Sequence, residues 1–200
     1  MPDHRACTAA AALLAAALFF PTLSFGADAK GQYSIRGVGL ITCAIFIQER
    51  LAQEEVYLVT AAWLDGYITG LNQASDDTYD VLSFEGSELL MQIIERHCRE
   101  NPNDTVFAVM NSLLRKLHDD RLPELARKLP IEMGENRVQL YTTVIERVQT
   151  ALAARGLYSG EIDGVYSEPT ARAMQRFQET QKLKATGFPD QLTLWRLLRS

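Results

Sequence analysis

This sequence has few histidines and no net positive charge. It has three histidines among 200 residues, and its 20 basic and 25 acidic residues give a formal net charge of -5. A catalytic zinc ion needs about three protein ligands, usually rich in histidine, whereas only His97 and His118 follow residue 29, and their spacing is not that of a ligand pair. Nucleic-acid binding needs an excess of lysine and arginine. The composition therefore argues against a metal, a cofactor and a nucleic-acid partner.

Long apolar segments are absent beyond residue 20. Residues 9–20 are all apolar, and they follow a short polar start that contains Arg5. This run is shorter than the about 20 apolar residues that a membrane-spanning helix needs, and the small residues Ala27 and Ala29 suit a signal-peptidase site. We therefore predict that residues 1–29 are a Sec-type signal peptide. The mature chain would be exported to the periplasm and would have no integral membrane span.

Cysteine is rare as well, and two of the three cysteines, Cys43 and Cys98, follow the predicted signal peptide. An even pair of cysteines in an exported chain is typical of a disulfide formed in an oxidising compartment. The pair Cys43 and Cys98 is therefore predicted to be a disulfide. The alternative is two buried free thiols.

The apolar residues between positions 30 and 118 are spaced as in amphipathic helices. Four stretches have this spacing, namely residues 42–53, 55–72, 87–99 and 105–117. A disulfide between Cys43 and Cys98 would staple the first of these helices to the third. In the second helix, Ala62, Gly66 and Gly70 fall four apart, which predicts a face in close contact with another backbone despite the low helix propensity of glycine.

The composition changes after residue 118. Residues 119–137 carry Pro123, Pro130 and Gly134 among many charges, which predicts a linker. From residue 138 an apolar stripe predicts a helix that stops at Gly156, and two further helices follow, the last capped by Asp190. The predicted protein is all-α, with a disulfide-stapled four-helix domain at residues 30–118 and a three-helix domain at residues 138–200.

A loose pattern extends over residues 38–118. It consists of Thr42-Cys43 with Phe46, Trp63-Leu64-Asp65-Gly66-Tyr67 followed by Gly70, and Cys98 before Pro102. This pattern resembles the HdeA-like family of small helical periplasmic proteins, and it is also similar to the immunity proteins that bind cell-wall amidase toxins. The resemblance implies four short helices with one disulfide, and it leaves two functions open. One is an acid-activated chaperone, which would act through protonation of carboxylates and exposure of apolar surface, and the other is an immunity or inhibitor protein for a wall amidase.

A more specific pattern covers about residues 140–199. Its members are Gln149, Leu152, Gly156-Leu157-Tyr158, Asp163-Gly164-Val165-Tyr166, Thr170, Ala173, Phe177-Gln178, Leu183, Thr186-Gly187, Asp190, Thr193 and Leu197. This pattern resembles the peptidoglycan-binding-like domain, a three-helix module common in bacterial wall enzymes. The resemblance implies peptidoglycan as the partner. Ser167 and Lys182 depart from the pattern, because glycine is usual at both positions.

Four residues of this region are candidate peptidoglycan contacts. A groove for sugars or short peptides needs an aromatic platform with amide or carboxylate partners, which Tyr158, Tyr166, Asp163 and Gln178 could supply. Each also has a structural alternative, since Asp163 could hold its turn by bonding backbone amides and Gln178 could close a helix contact.

No catalytic residue is assigned. His97 adjoins Cys98, but neighbours on a helix point about 100° apart, and Cys98 is a candidate for the disulfide. Glu85, Glu88 and Glu95 lack an identified opposing acid, so we interpret them as a solvated face rather than a glycosidase site. The sequence therefore predicts an exported, non-enzymatic protein. Its C-terminal domain would bind peptidoglycan, and its N-terminal domain would contact a protein partner or client.

Overall fold

The computed structural model describes residues 27–52 and 54–199, with the side chains of residues 50–54 left out. The predicted signal peptide lies outside the described residues from position 1 to position 26. Residues 27–33 belong to a separate unit, in which the carboxylate of Asp28 accepts the backbone N–H groups of Lys30 and Gln32.

Helices form at all four stretches predicted before residue 118. They are α1 (Cys43–Ala52), α2 (Glu54–Ala74), α3 (Ser87–Glu100) and α4 (Val106–Leu117). The start of α4 is fixed by Thr105, whose hydroxyl accepts the backbone N–H of Ala108 at 3.2 Å, as expected of an N-cap. Each helix turns apolar residues towards a shared core, which includes Phe46, Leu64, Leu90, Met91, Ile94 and Met110.

The disulfide prediction is confirmed. Cys43 at the start of α1 and Cys98 near the end of α3 are bonded, with their Cα atoms 4.7 Å apart. Both residues are buried in the core, at 0% and 2% exposure. The alternative of two free thiols is therefore excluded.

The prediction for the small-residue face of α2 is wrong. A Cβ atom placed on Gly66 or Gly70 would meet nothing within 4 Å, and both glycines are exposed. Helix α2 buries a different side, on which Leu64 is fully buried. The glycines therefore lie on the solvent side of α2, away from any close backbone contact among the described residues.

A β-hairpin corrects the all-α prediction. Strands β1 (Lys128–Met133) and β2 (Asn136–Tyr141) pair antiparallel, with Lys128 opposite Tyr141 and Met133 opposite Asn136. Strand β1 lies entirely within residues 119–137, where a linker was predicted. Its side chains alternate between exposed and more buried, as in a strand with one face on the core. Pro130 is tolerated because each strand of a two-stranded sheet has a free edge.

Three helices follow the hairpin. They are α5 (Thr142–Ala154), α6 (Glu168–Thr180) and α7 (Gln191–Leu198). The first begins later than predicted, because Val138 and Leu140 belong to strand β2. Gly156 has a φ of +70° just after α5, as its predicted role at a helix end requires. The protein is therefore mostly helical with one small sheet.

Apolar packing crosses the boundaries predicted at residues 118 and 138. The chain from Ser34 onward clusters as one compact unit. Phe84, which precedes α3, packs against the core of the C-terminal helices, and Trp195 of α7 packs against the core of the N-terminal helices. A third cluster of Leu122, Tyr141 and Val144 lies where the segment after α4 meets the hairpin and α5.

Candidate functional site

Gln149 organises the loop between α5 and α6. Its side chain is fully buried, and its Nε2 donates to Asp163 Oδ1 at 2.8 Å and to the carbonyl of Val165 at 3.1 Å. Its Oε1 accepts the backbone N–H groups of Asp163 and Gly164, each at 3.1 Å. One buried amide therefore holds three consecutive loop residues.

Asp163, a predicted peptidoglycan contact, belongs to this loop. Its Oδ1 accepts the Gln149 amide and also the backbone N–H of Val165 at 2.9 Å. The hydrogen bond from Gln149, followed by the backbone bond from Val165, lowers the pKa of Asp163 below its ordinary value. The residue is exposed, so a ligand could still reach it.

Tyr158, the second predicted contact, is largely enclosed. It is 9% exposed, and its hydroxyl donates to the carbonyl of Glu161 at 2.7 Å. The Gln149 amide lies 3.4 Å from the same hydroxyl. Tyr158 therefore fills and closes the loop, and it offers no open aromatic platform.

Tyr166 and Gln178, the remaining predicted contacts, meet at the loop before α7. Gln178 is fully buried, its Oε1 accepts the Gly187 N–H at 2.8 Å, and its Nε2 donates to the carbonyl of Phe188 at 2.9 Å. The Tyr166 hydroxyl donates to the carbonyl of Gly187 at 2.7 Å. Burial, together with the charge of Asp190, raises the pKa of Tyr166 above its ordinary value.

The two buried glutamines make the same kind of contacts, each to a loop glycine and to a threonine hydroxyl. Gln149 holds a loop at Gly164 and lies 3.4 Å from the hydroxyl of Thr170, and Gln178 holds a loop at Gly187 and lies 3.2 Å from the hydroxyl of Thr193. The structure therefore places the four predicted contacts around two separate amides rather than in one groove. The sequence pattern contained Gln149, but its central role depends on loops that only the folded chain brings together.

A partly buried ionic cluster joins the segment before α3 to the residues after α4, to α5 and to Arg199, and we call it the junction network. Arg199 donates to Glu85 Oε1 from Nε at 2.9 Å and from Nη2 at 2.6 Å, with 5% and 0% of the two side chains exposed. Its Nη1 forms an ion pair with Asp120 without the geometry of a hydrogen bond. Arg147 donates to Asp120 Oδ1 at 2.7 Å, and Ser83 accepts from both arginines.

The junction network corrects the interpretation of Glu85 as part of a solvated face. Its second carboxylate oxygen accepts the backbone N–H groups of Ser83 and Phe84, each at 3.1 Å. Glu95 pairs with Arg99 at 2.5 Å, and Glu88 accepts from the amide of Gln92 at 2.9 Å. Burial also lowers the pKa of Arg147, in opposition to its pairing with Asp120. The network was not predictable from the sequence, because its members range from Ser83 to Arg199 along the chain.

The described surface includes several clefts. One measures about 630 Å³ and lies between residues 119–126 and one side of α5. A smaller one of about 290 Å³ lies between α3 and α7, and we call it the α3–α7 groove. Its lining includes Leu89, Gln92, Arg96, Leu192, Trp195 and Arg196.

The described residues also bear on metal binding and on membrane insertion. In the part of the chain that the structure describes, no group of three or more His, Cys, Asp or Glu side chains is placed to hold a metal ion. None of the described helices combines the length and the apolar character needed to cross a membrane. The side chain of His97 contacts Asp104, with Nε2 and Oδ2 2.7 Å apart.

Comparison with known proteins gives a family match in the C-terminal region. Residues 143–197 match the family model described as "Putative peptidoglycan binding domain". No curated protein matches the chain. The crystal structure of SltB3 from Pseudomonas aeruginosa in complex with NAG-anhNAM-pentapeptide is similar at 20% identity, over 58% of this chain and 24% of that chain, with a TM-score of 0.30. The chain thus spans about a quarter of the length of that protein.

The family match coincides with the three C-terminal helices. It begins one residue inside α5 and ends one residue before the end of α7. It does not extend to residues 38–118, whose HdeA-like resemblance stays a prediction. The match supports association with the cell wall, and the described chain carries a peptidoglycan-binding-like domain at residues 143–197.

Proposed function

We propose that this chain is an exported, non-enzymatic protein that binds peptidoglycan through its C-terminal domain and contacts a protein partner or client through its N-terminal part. The observation that carries the proposal is the family match at residues 143–197, over a region that folds as α5, α6 and α7. Location in the periplasm is part of the proposal. It is supported by the disulfide between Cys43 and Cys98, because such bonds persist in oxidising compartments.

The four predicted contacts have unequal access to a ligand. Tyr158 and Gln178 are buried and Tyr166 is partly buried, while Asp163 is exposed. Asp163 is therefore the member of this set best placed for direct contact. The other three would act indirectly, by fixing the loops whose outer surfaces face solvent.

The non-enzymatic part of the proposal is supported by the way in which reactive side chains are used. The sulfur of Cys98 is bonded to Cys43, so it is not a free thiolate next to His97. The carboxylate of Glu85 is enclosed and paired with Arg199, so it has no access to a substrate. Incubation of the purified chain with sacculi should release no muropeptides, and release above that of a boiled sample would contradict this part.

Contact with a protein is supported by exposed apolar side chains on the first two helices. Ile45 of α1 and Leu58 and Val59 of α2 are 46%, 62% and 57% exposed. Suppression of client aggregation near about pH 2–3 but not near neutral pH would favour an acid-activated chaperone of the HdeA type. Tight binding to a wall amidase would favour an immunity or inhibitor protein instead.

The test of peptidoglycan binding uses the mature chain and purified sacculi. The chain should sediment with sacculi at physiological ionic strength and stay bound through mild washing. Chitin, which has a related glycan but no peptide, shows whether the glycan alone retains the chain, and an insoluble matrix without glycan is the blank. If the folded chain washes off sacculi as readily as off a matrix without glycan, the proposed function is wrong.

A further inference from the structure

The α3–α7 groove has a charge pattern unlike that of the larger clefts. Its lining carries two arginines and no carboxylate, although the chain as a whole has a formal charge of -5. The linings of the clefts of about 630 and 390 Å³ each include three or more carboxylates. Of these three clefts, the α3–α7 groove is therefore the best suited to an anion.

The cations of this groove are uncommitted. Arg96 and Arg196 are exposed, and among the described residues neither guanidinium has a hydrogen bond or an ion pair. In the cleft of about 630 Å³, by contrast, Arg147 is paired with Asp120, and Arg121 donates to backbone carbonyls, including that of Asp77. A guanidinium presents a fixed fork of donors that matches a carboxylate, so the free pair in the α3–α7 groove offers two such forks.

Apolar surface lies beside these cations. Trp195 is partly buried and packs against the N-terminal core, and its indole N–H has no acceptor among the described residues. Leu192 is 43% exposed, and Leu89 lines the opposite side of the groove. The ligand that fits this combination carries carboxylates next to small aliphatic groups. A volume of about 290 Å³ lies at the lower end of the range for ligand sites, which suits a short peptide segment.

We propose that the α3–α7 groove binds the carboxylate-bearing stem peptide of peptidoglycan. Arg96 and Arg196 pair with its carboxylates, and Trp195 with Leu192 contacts its aliphatic side chains. This inference rests on the proposed function, and it names the part of peptidoglycan that is recognised. It also gives α3, which lies outside the family match, a direct part in binding.

The test is calorimetric titration of the full mature chain with two soluble fragments of the same sacculi. One fragment is a disaccharide that carries a tetrapeptide stem, and the other is the glycan freed of peptide by an amidase. The stem-bearing fragment should bind at least about tenfold more tightly, since the amidase product keeps only the lactyl carboxylate of its muramic acid and has neither the stem carboxylates nor the aliphatic stem residues. Its affinity should fall as salt is raised.

The variant R96A/R196A should weaken binding of the stem-bearing fragment by about tenfold or more and change binding of the peptide-free glycan much less. R115A/R172A is the matched control, because it removes the same charge from exposed positions on α4 and α6 and should bind as the parent does. R96K/R196K should fall between the two, since it keeps the charge but loses the planar fork. Circular dichroism verifies that every variant is folded.

Two outcomes separate this inference from the proposed function. If both fragments bind equally, or if R96A/R196A binds as tightly as R115A/R172A, the assignment of the groove is wrong, while retention on sacculi still stands. If the parent chain is not retained on sacculi and binds neither fragment, the proposed function fails and the assignment of the groove fails with it.

Discussion

At the scale of single residues, two buried amides define the C-terminal loops. Gln178 is fully buried, and both ends of its amide are occupied by backbone groups of Gly187 and Phe188. A buried donor or acceptor that loses its partner costs about 1–3 kcal/mol, whereas a satisfied one contributes only about 1 kcal/mol. These glutamines therefore matter chiefly through what their removal would leave unpaired.

We expect Gln178→Met to lower the free energy of unfolding by about 3 kcal/mol, because Gly187 N–H and the carbonyl of Phe188 would lose their partner in a buried setting. Urea denaturation followed by circular dichroism measures the change. Gln175→Met on the exposed side of α6 is the control, with an expected change within about 0.5 kcal/mol. Equal effects of the two substitutions would refute the structural role.

Asp163 makes the stability of the fold at the loop between α5 and α6 depend on pH. Its lowered pKa in the folded state means that its charge stabilises the fold above the ordinary pKa of 3.8, and that this stabilisation is lost as the pH falls through the lowered value. Asp163→Asn keeps the acceptor oxygen for Gln149 and Val165 but carries no charge. We expect parent and variant to differ most near neutral pH and to converge below about pH 4. Urea unfolding at several pH values tests this, and a difference independent of pH would contradict it.

At the scale of elements, the disulfide is the main covalent constraint on the N-terminal helices. It links α1 to α3 across 55 residues of sequence. In the chain-entropy model, a loop of this length gives a stabilisation of about 4 kcal/mol. We expect the double variant C43A/C98A to lose about that amount in urea denaturation. A reducing agent should lower the melting temperature of the parent and leave that of C43A/C98A unchanged, and insensitivity of the parent would count against the prediction.

The helices were predictable to a degree that the hairpin was not. Helices α1 to α4 follow from apolar residues repeated at three and four positions, a signal that local sequence contains in full. In residues 119–137, Pro123, Pro130 and Gly134 favoured a linker, yet Leu129, Ile131 and Met133 alternate with exposed residues, as strand β1 requires. The alternation was available in the sequence, but a two-stranded sheet is stable only when another element covers one face.

In the candidate site too, contacts between nearby residues were predictable from the sequence and contacts between distant residues were not. The turn-holding role of Asp163 and the closing role of Gln178 were foreseen as structural alternatives, because such roles involve nearby residues. The α3–α7 groove was not foreseen, since Arg96 and Arg196 are separated by about half the chain and meet through tertiary packing. The interpretation of Glu85 as solvated is wrong for the same reason, since its partner Arg199 lies 114 residues further along the chain.

At the scale of the whole molecule, the junction network connects the C-terminal helices with the segment before α3. Around it, Gly86 N–H donates to Gln191 Oε1 at 3.0 Å, and the guanidinium of Arg199 lies 5.1 Å from the ring centre of Phe84. Removing one partner of a buried ion pair leaves an uncompensated charge, which is far more costly than losing an exposed pair.

We expect Arg199→Ala to lower the free energy of unfolding by about 3–5 kcal/mol, because the carboxylate of Glu85 would stay buried without a cation. Arg172→Ala, which removes an exposed pair with Glu168 within α6, is the control and should change stability by less than about 1 kcal/mol. Combining Arg199→Ala with Glu85→Gln should be less harmful than the sum of the single changes. Denaturant titration checks all three, and a mild effect of Arg199→Ala would mean that the network contributes little.

The position of Arg199 has a consequence for protein engineering. The family match stops at residue 197, so a cassette cut at the family boundaries and grafted onto a reporter would leave this arginine behind. Such a graft would also omit Leu198 and uncover the face of Trp195 that packs against the core of the N-terminal helices. Fusions intended to display the C-terminal module should therefore extend from the segment before α3 through Arg199, so that Glu85 and Arg199 stay paired.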